Sequence, residues 1–246
     1  YAATLPTFLA EAEKTILGHL TMQSDFAIEQ TQTHAWREQI RILKETLVDN
    51  RLHLLQAQGA VYFEYAIPRM GKRVDVVLLL GSTIFVLEFK VGEREHPAQA
   101  VDQVVDYALD LKNFHETSHT ATIAPVLIAT HATCAFGIAS HSKDDRVLHP
   151  ILTNGQGLIE ALCGVLALSD APTLNADTWR SGRYCPTPTI VEAAMALYSG
   201  HSVEAISRSD ADATNLSVTS SSLERIIADA KTKQRKVICF VTGVPG

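Results

Sequence analysis

The sequence predicts an α/β fold, a mixed central β-sheet flanked by helices and followed by a helical connector, and three observations carry that prediction. An amphipathic helical stretch is followed by three strand-like runs in close succession, Gly59 to Pro68, Arg73 to Leu80 and Thr83 to Phe89. A second helical stretch then separates these from further short apolar runs, the alternation expected of helices packed on a sheet. With 46% hydrophobic and 20% charged residues among 246, the chain can bury a full core.

Residues 1–30 place Phe8, Leu9, Ala12, Ile16 and Leu20 at helical spacings before the polar stretch Gln23 to Thr33, and so read as an N-terminal helical extension. From His34 to Asp49, Trp36, Ile40, Leu43 and Leu47 recur at intervals of four, three and four, an amphipathic helix whose Arg37, Glu38, Arg41, Lys44 and Glu45 mostly face elsewhere. Of the three strands that follow, the first alternates and the second is nearly continuously aliphatic. Their turns, Arg69-Met70-Gly71-Lys72 and Gly81-Ser82, predict an antiparallel meander at one side of the sheet. Pro97 to Phe114 carries Val101, Val104, Val105, Ala108 and Leu111 on one helical face. Ala124 to Thr130 reads as a short strand, Leu148 to Thr153 as a weaker one, and Gly157 to Leu168 as a final apolar helix, so the α/β unit spans residues 31–168. Asp170 to Pro188, rich in Pro, Ser, Thr and Gly, opens a connector over 169–235, in which Thr189 to Tyr198 and Ser217 to Ala230 form helices.

Several function classes are disfavoured by composition. Lys and Arg number 21 against 27 Asp and Glu, a net charge of −6, which argues against coating nucleic acid by bulk charge and leaves room for a local basic patch. The four cysteines, at 134, 163, 185 and 239, include no CxxC and no close pair, so neither a zinc knuckle nor a disulfide scaffold is indicated, and a reducing, cytoplasmic setting is expected. The apolar run Val74 to Leu80, broken by Asp75, falls far short of the roughly 18 to 20 residues of a membrane span. Glu11, Glu13 and Lys14 stand where a signal peptide would be apolar, so no membrane partner is expected.

Asp75 is the first residue to suggest chemistry, because a carboxylate inside an apolar strand must be desolvated unless something compensates it. On the next strand Glu88 and Lys90, two apart, share one face. If the two strands pair through Gly81-Ser82, Asp75 and Glu88 come near one another, two carboxylates beside one ammonium. Such a set suits Mg²⁺ or Mn²⁺, whose charge lets close carboxylates both stay ionised; ordinary strand charges, with Asp75 and Lys90 as a salt bridge, are the alternative. Gln103 and Tyr107, four apart, share a face of the following helix, and Glu38 offers a third carboxylate unless it is simply an exposed helix residue. Arg69, Lys72 and Arg73, at or beside the turn before Asp75, either touch phosphates or form a solvated turn. His115 and His119 have zinc-ligand spacing but no third ligand nearby, and Trp36 and Trp179 read as packing anchors.

The last segment, Lys236 to Gly246, reads as a buried β-branched strand running into a Gly-Pro-Gly turn, the way the strand and first half of a phosphate-binding loop begin. Gly243 and Gly246 would be its first glycines; the final Gly, the Lys and the Ser/Thr that grip phosphate do not follow. On this reading residues 236–246 open a P-loop ATPase domain interrupted inside its loop, so ATP would be bound only by a longer protein. A strand that merely ends in a turn is the alternative.

Asp75, Glu88-Phe89-Lys90 and Gln103-x-x-x-Tyr107, after a helix bearing Glu38, resemble the PD-(D/E)XK nuclease superfamily, in particular its RecB-like branch. Ala35-Trp36-Arg37-Glu38, Phe63-Glu64-Tyr65-Ala66-Ile67-Pro68, Lys72-Arg73-Val74-Asp75, Tyr184-Cys185-Pro186-Thr187-Pro188-Thr189-Ile190 and the segment from Cys239 to Gly246 resemble the N-terminal region of bacterial schlafen-like, helicase-related P-loop ATPases. Val74 stands where the nuclease motif usually has proline. The resemblance implies a restriction-endonuclease-like core that hydrolyses phosphodiesters with Mg²⁺ or Mn²⁺, leaving a 5′ phosphate and a 3′ hydroxyl. By position, Asp75 and Glu88 would bind the metal with Glu38 as an extra ligand, and Lys90 would orient the attacking water and stabilise phosphate charge. Gln103 would hold the water or Lys90, and Tyr107 would contact the strand backbone and the nucleic acid. The implied partners are nucleic acid, DNA ahead of RNA, and a C-terminal ATPase domain of the same protein, with a homodimer where both strands are cut and anti-phage defence as the setting. A catalytically silent binding module that regulates the ATPase is the competing expectation.

Overall fold

Five of the predicted strands and an edge strand that was not predicted assemble into one six-stranded sheet, seen in a computed structural model that describes residues 1–22, 30–67, 72–133, 146–168, 173–185 and 210–240. In chain order the elements are β1 (Ala2–Thr4), α1 (Leu5–Ala10), α2 (Glu13–Met22), α3 (Gln30–Leu47), α4 (His53–Gln56), β2 (Ala60–Ile67), β3 (Lys72–Leu80) and β4 (Thr83–Lys90). Then come α5 (Ala98–Phe114), β5 (Thr122–Ala129), β6 (Ile151–Thr153), α6 (Leu158–Leu168), α7 (Ala176–Ser181) and α8 (Asp210–Thr232). The strands lie in sequence order from β1 to β6. Strands β2 to β4 pair antiparallel, as the meander predicts, β1 adds antiparallel to β2, and β5 and β6 run parallel to β4. The reversal follows from α5, a crossover long enough to return the chain to the same end of the sheet.

Local chemistry explains the joints. The β3–β4 turn has Gly81 at φ 60°, a left-handed conformation that costs glycine little. At Gly59 a side chain would meet Leu5 Cδ1 at 2.5 Å and the Leu79 carbonyl at 2.8 Å, so the close approach of α1 to the sheet requires a residue without Cβ. Leu5 N–H donates to the Gly59 carbonyl at the same place.

Each sheet face is covered by a core of its own. On one, Leu5, Phe8, Ile16, Trp36, Ile40, Leu43 and Leu162 from α1, α2, α3 and α6 pack against Val76, Leu78, Phe85 and Leu87. On the other, Val104, Tyr107, Ala108 and Leu111 of α5, with Trp179 of α7, pack against Val77, Leu79, Ile84 and Val86. Both tryptophans are packing anchors, Trp36 at 2% exposure and Trp179 at 1%.

Three expectations about organisation change. The N-terminal extension is, over residues 1–22, part of the same sheet and core: β1 forms an edge strand on β2, and Leu5 and Phe8 are fully buried. The expected connector is likewise bound to the core at residues 173–185, because Trp179 is buried and Cys185 N–H donates to the Phe114 carbonyl. Within the expected strand at 236–246, residues 236–240 form no strand and are exposed, with Ile238 at 81% and Phe240 at 85%. A strand needs a neighbour to take its backbone hydrogen bonds, and none of the described residues pairs with this segment. The helix expected at Thr189 to Tyr198 lies outside the described residues, as do Arg69, Gly243, Gly246 and the side chain of Lys72. No helix among the described residues is long and apolar enough to cross a membrane.

Candidate active site

The β3–β4 ladder runs from Leu80↔Thr83 at the turn to Val76↔Leu87, and one further step brings Asp75 abreast of Glu88. The carboxylate takes over where the ladder stops: Asp75 Oδ2 accepts from the Phe89 N–H at 2.8 Å. Glu88 is 3% exposed, and its Oε1 accepts from Lys90 Nζ at 2.9 Å. Its other oxygen, Oε2, is buried and accepts no hydrogen bond. All three residues sit where β4 ends, at the carboxyl end of the parallel strands, the usual ligand side of an open α/β sheet.

Electrostatics ties the two acids together. Burial, and next the charge of Glu88, push the Asp75 carboxyl up from its ordinary value to about 8, against the bond from Phe89 and the charge of Lys90. Burial also raises the Glu88 carboxyl, opposed by its bond to Lys90. Two buried carboxylates abreast resist joint ionisation, and a cation between them removes the conflict. The expected alternative, an Asp75–Lys90 salt bridge, does not form; Lys90 is given to Glu88.

From α5, Gln103 Nε2 donates to the Tyr107 hydroxyl at 2.7 Å, so the amide goes to Tyr107 and not to Lys90. Tyr107 is 5% exposed, and its phenol is raised by burial first and further by the charges of Glu88, Asp75 and Asp110, against the Gln103 bond. The hydrogen bond of its hydroxyl is to Gln103; the expected contact with the strand backbone is not among those formed.

Glu38 occupies a different environment. Its carboxylate is gripped by Arg41, which also binds Glu45, and this bond holds it below the usual carboxylate range. The other charges acting on it are those of His34 and His131, whereas those acting on Asp75 are Glu88, Glu64 and Lys90. Glu38 lines a cleft of about 530 Å³ with Arg41, Thr130, His131, Asn154 and Gly155, and neither Asp75 nor Glu88 is part of that lining. Among the described residues no three His, Cys, Asp or Glu side chains are gathered as a metal-binding group, and the Glu38 carboxylate is engaged by Arg41. The donors that remain, two carboxylates with one orphaned buried oxygen, fit Mg²⁺ or Mn²⁺, because Mg²⁺ is commonly held through one or two carboxylates and keeps several waters.

Of the basic residues, Arg73 is described: its guanidinium lies 3.7 Å from Glu64 Oε2. His115 and His119 each have one ring nitrogen engaged: His115 Nδ1 is bonded to Ser118 Oγ at 2.7 Å and His119 Nδ1 to the Lys112 carbonyl at 2.9 Å.

One residue of the site escapes sequence reasoning. Glu64 has φ 51°, a conformation that costs a side chain of this kind about 1–2 kcal/mol. It falls between the pairs Phe63↔Val76 and Tyr65↔Val74, hence abreast of Asp75, and its Oε1 accepts from Trp36 Nε1 at 2.7 Å. A carboxylate within the apolar run Ala60 to Ile67 is a signal of the same kind as Asp75, but the backbone conformation that makes it unusual leaves no trace in sequence.

Comparison with family models, with curated proteins and with solved structures returns no match for this chain.

Proposed function

We propose that the chain carries a divalent-cation-dependent nuclease site, hydrolysing phosphodiesters of nucleic acid, DNA ahead of RNA, in a protein that also contains a helicase-like ATPase. The observation that carries this reading is the buried Asp75–Glu88 pair beside Lys90, with Glu88 Oε2 left without a partner. A purely structural pair of carboxylates would be costly here, since among the described residues the one cation paired with either is Lys90, on Glu88.

Asp75 and Glu88 would hold Mg²⁺ or Mn²⁺, which when bound supplies Lewis acidity toward a phosphate oxygen and offsets the negative charge of the pair. The ammonium of Lys90, fixed by Glu88 and 28% exposed at its side chain, can reach a water or a phosphate oxygen and stabilise charge there. A water oxygen attacks phosphorus in line, the bond from phosphorus to the 3′ oxygen breaks, and the products carry a 5′ phosphate and a 3′ hydroxyl. Tyr107, oriented by Gln103, closes the α5 side of the pair and helps keep it desolvated. Arg73, two residues before Asp75 and paired with Glu64, is the residue of the basic turn whose side chain is described, and it would meet a phosphate passing Asp75.

The test is incubation of labelled single- and double-stranded DNA and RNA with Mg²⁺, Mn²⁺ or EDTA, followed by end-group analysis. Cutting that EDTA abolishes and Asp75→Asn lacks, with 5′-phosphate products, supports the reading; cutting equal in EDTA contradicts it.

A second reading, a silent nucleic-acid-binding or protein-interaction module that regulates the ATPase, is favoured by one observation: Glu38 stays with Arg41 and leaves two acidic ligands instead of three. Nucleic-acid affinity without cleavage, unaffected by EDTA, is its signature.

A further inference from the structure

We infer that Glu64 is a positioning residue for the divalent cation: its left-handed backbone sets Asp75 in place, and its charge adds to the attraction of Asp75 and Glu88 for the ion. This rests on reading Asp75 and Glu88 as the cation site.

The backbone argument comes from the two cores. In a regular strand residues two apart face the same way. In β2, however, Phe63 belongs to the core on the α3 side and Tyr65 packs on the α5 side; in β3, Val76 and Val74 are divided in the same way. Both strands therefore turn over together at Glu64 and Asp75, and the residue that turns is Glu64, at φ 51°. This local reversal is where the Asp75 carboxylate leaves the ladder to accept from the Phe89 N–H. Bulge-like breaks of this kind re-aim side chains beside functional sites.

The charge argument comes from the carboxylate itself. Trp36 Nε1 fixes Oε1 at 2.7 Å, and a neutral donor does not cancel its charge; Arg73, 3.7 Å from Oε2, forms an ion pair that offsets only part of it. Consistent with proximity, the charge of Glu64 raises the carboxyls of both Asp75 and Glu88. The independent pointer to a ligand is Glu88 Oε2, buried and unpartnered in the same row. Both carboxylate oxygens of Glu64 already face a donor, Trp36 Nε1 and the Arg73 guanidinium, so it is assigned a positioning role and not that of a ligand. It acts through Asp75 and through the field at the site.

The test is Mn²⁺ binding to the intact protein, by calorimetry and by electron paramagnetic resonance of the bound ion, for wild type, Asp75→Asn, Glu64→Gln, Glu64→Asp and Glu64→Gly, each checked for folding in EDTA. Glu64→Gln keeps an acceptor for Trp36 without the charge and is expected to bind roughly tenfold more weakly, the lower end of what loss of an outer-shell partner costs. Glu64→Asp, which keeps the charge and tolerates the left-handed conformation, is expected to recover most of that loss. Glu64→Gly, which keeps the conformation alone, should bind as weakly as Glu64→Gln and serves in its place if that variant does not fold. If Asp75→Asn loses Mn²⁺ while Glu64→Gln and Glu64→Gly bind as wild type does, this inference is overturned and the cation site stands. If Asp75→Asn binds as wild type does, or wild type binds no Mn²⁺, the site reading falls and this inference with it.

Discussion

Asp75 and Glu88 each make the other harder to ionise, and that conflict can be read in the stability of the metal-free protein. With its carboxyl raised from 3.8 to about 8 in the folded state, Asp75 contributes stability that is fully present below pH 3.8 and is lost as pH rises toward 8. Asp75→Asn retains an oxygen for the Phe89 N–H but cannot titrate, so in EDTA the variant should gain on wild type in Tm as pH is raised across that window. Curves that stay parallel would show that Asp75 is not under this strain. Mn²⁺ should close the gap by stabilising wild type alone. At this scale the sequence was informative where burial and charge conflict: Asp75 stood out because its neighbours are aliphatic, and the two-residue spacing of Glu88 and Lys90 put them on one face. Glu38 was less legible, since a helix glutamate with Arg41 three residues on is satisfied within its own helix, a pairing that position alone does not reveal. Glu64 was hidden because its distinguishing property is a backbone angle.

Among the elements, α7 shows how a segment can be structural without advertising it. Residues 173–185 carry no apolar periodicity, yet Trp179 is 1% exposed, packs against Tyr62 at a tilt with 5.0 Å between centroids, and donates from Nε1 to Ser118 Oγ at 2.9 Å. Leu174 N–H donates to the Gly81 carbonyl at the β3–β4 turn, so the segment touches both the turn that sets the register of the acidic pair and the end of α5. One large residue in a polar stretch gives no pattern to read, which is why this stretch resembled a linker. Trp179→Ala should cost about 3–5 kcal/mol, measurable by denaturant unfolding. The same cluster holds His115, whose imidazole is pushed from 6.5 down to about 4 by burial first and by His119 second. A depressed folded value means its contribution is present above pH 6.5 and lost as pH falls toward 4. His115→Asn should therefore unfold less steeply with acid over that range than wild type, and equal slopes would contradict the assignment.

For the whole molecule, the order of strands and helices was largely legible because the hydrophobic period changes from strand-like to helical at each boundary, while the role of residues 1–22 was not. A three-residue strand such as β1 carries no periodicity, and its place at the sheet edge is set by β2, nearly sixty residues away. Phe8 fills that corner, 0% exposed, with Phe63 at 5.7 Å and Lys44 Nζ 5.3 Å from its ring. Lys44 also donates to the Leu9 and Glu11 carbonyls, tying α1 to α3. Phe8→Ala is expected to lose about 3–5 kcal/mol, as a core aromatic does, and removal of residues 1–22 should leave a protein that no longer unfolds cooperatively; a stable truncated form would restore the picture of an appended extension. The sheet so assembled brings Asp75, Glu88 and Lys90 to one end of β3 and β4 with α5 closing over them, and the function proposed depends on that convergence. The most direct measurement is single-turnover cleavage of labelled nucleic acid in Mn²⁺ by wild type and Lys90→Ala side by side. Cutting by wild type that EDTA stops and the folded variant lacks is the predicted result; equal cutting by a clean Lys90→Ala preparation would contradict the account.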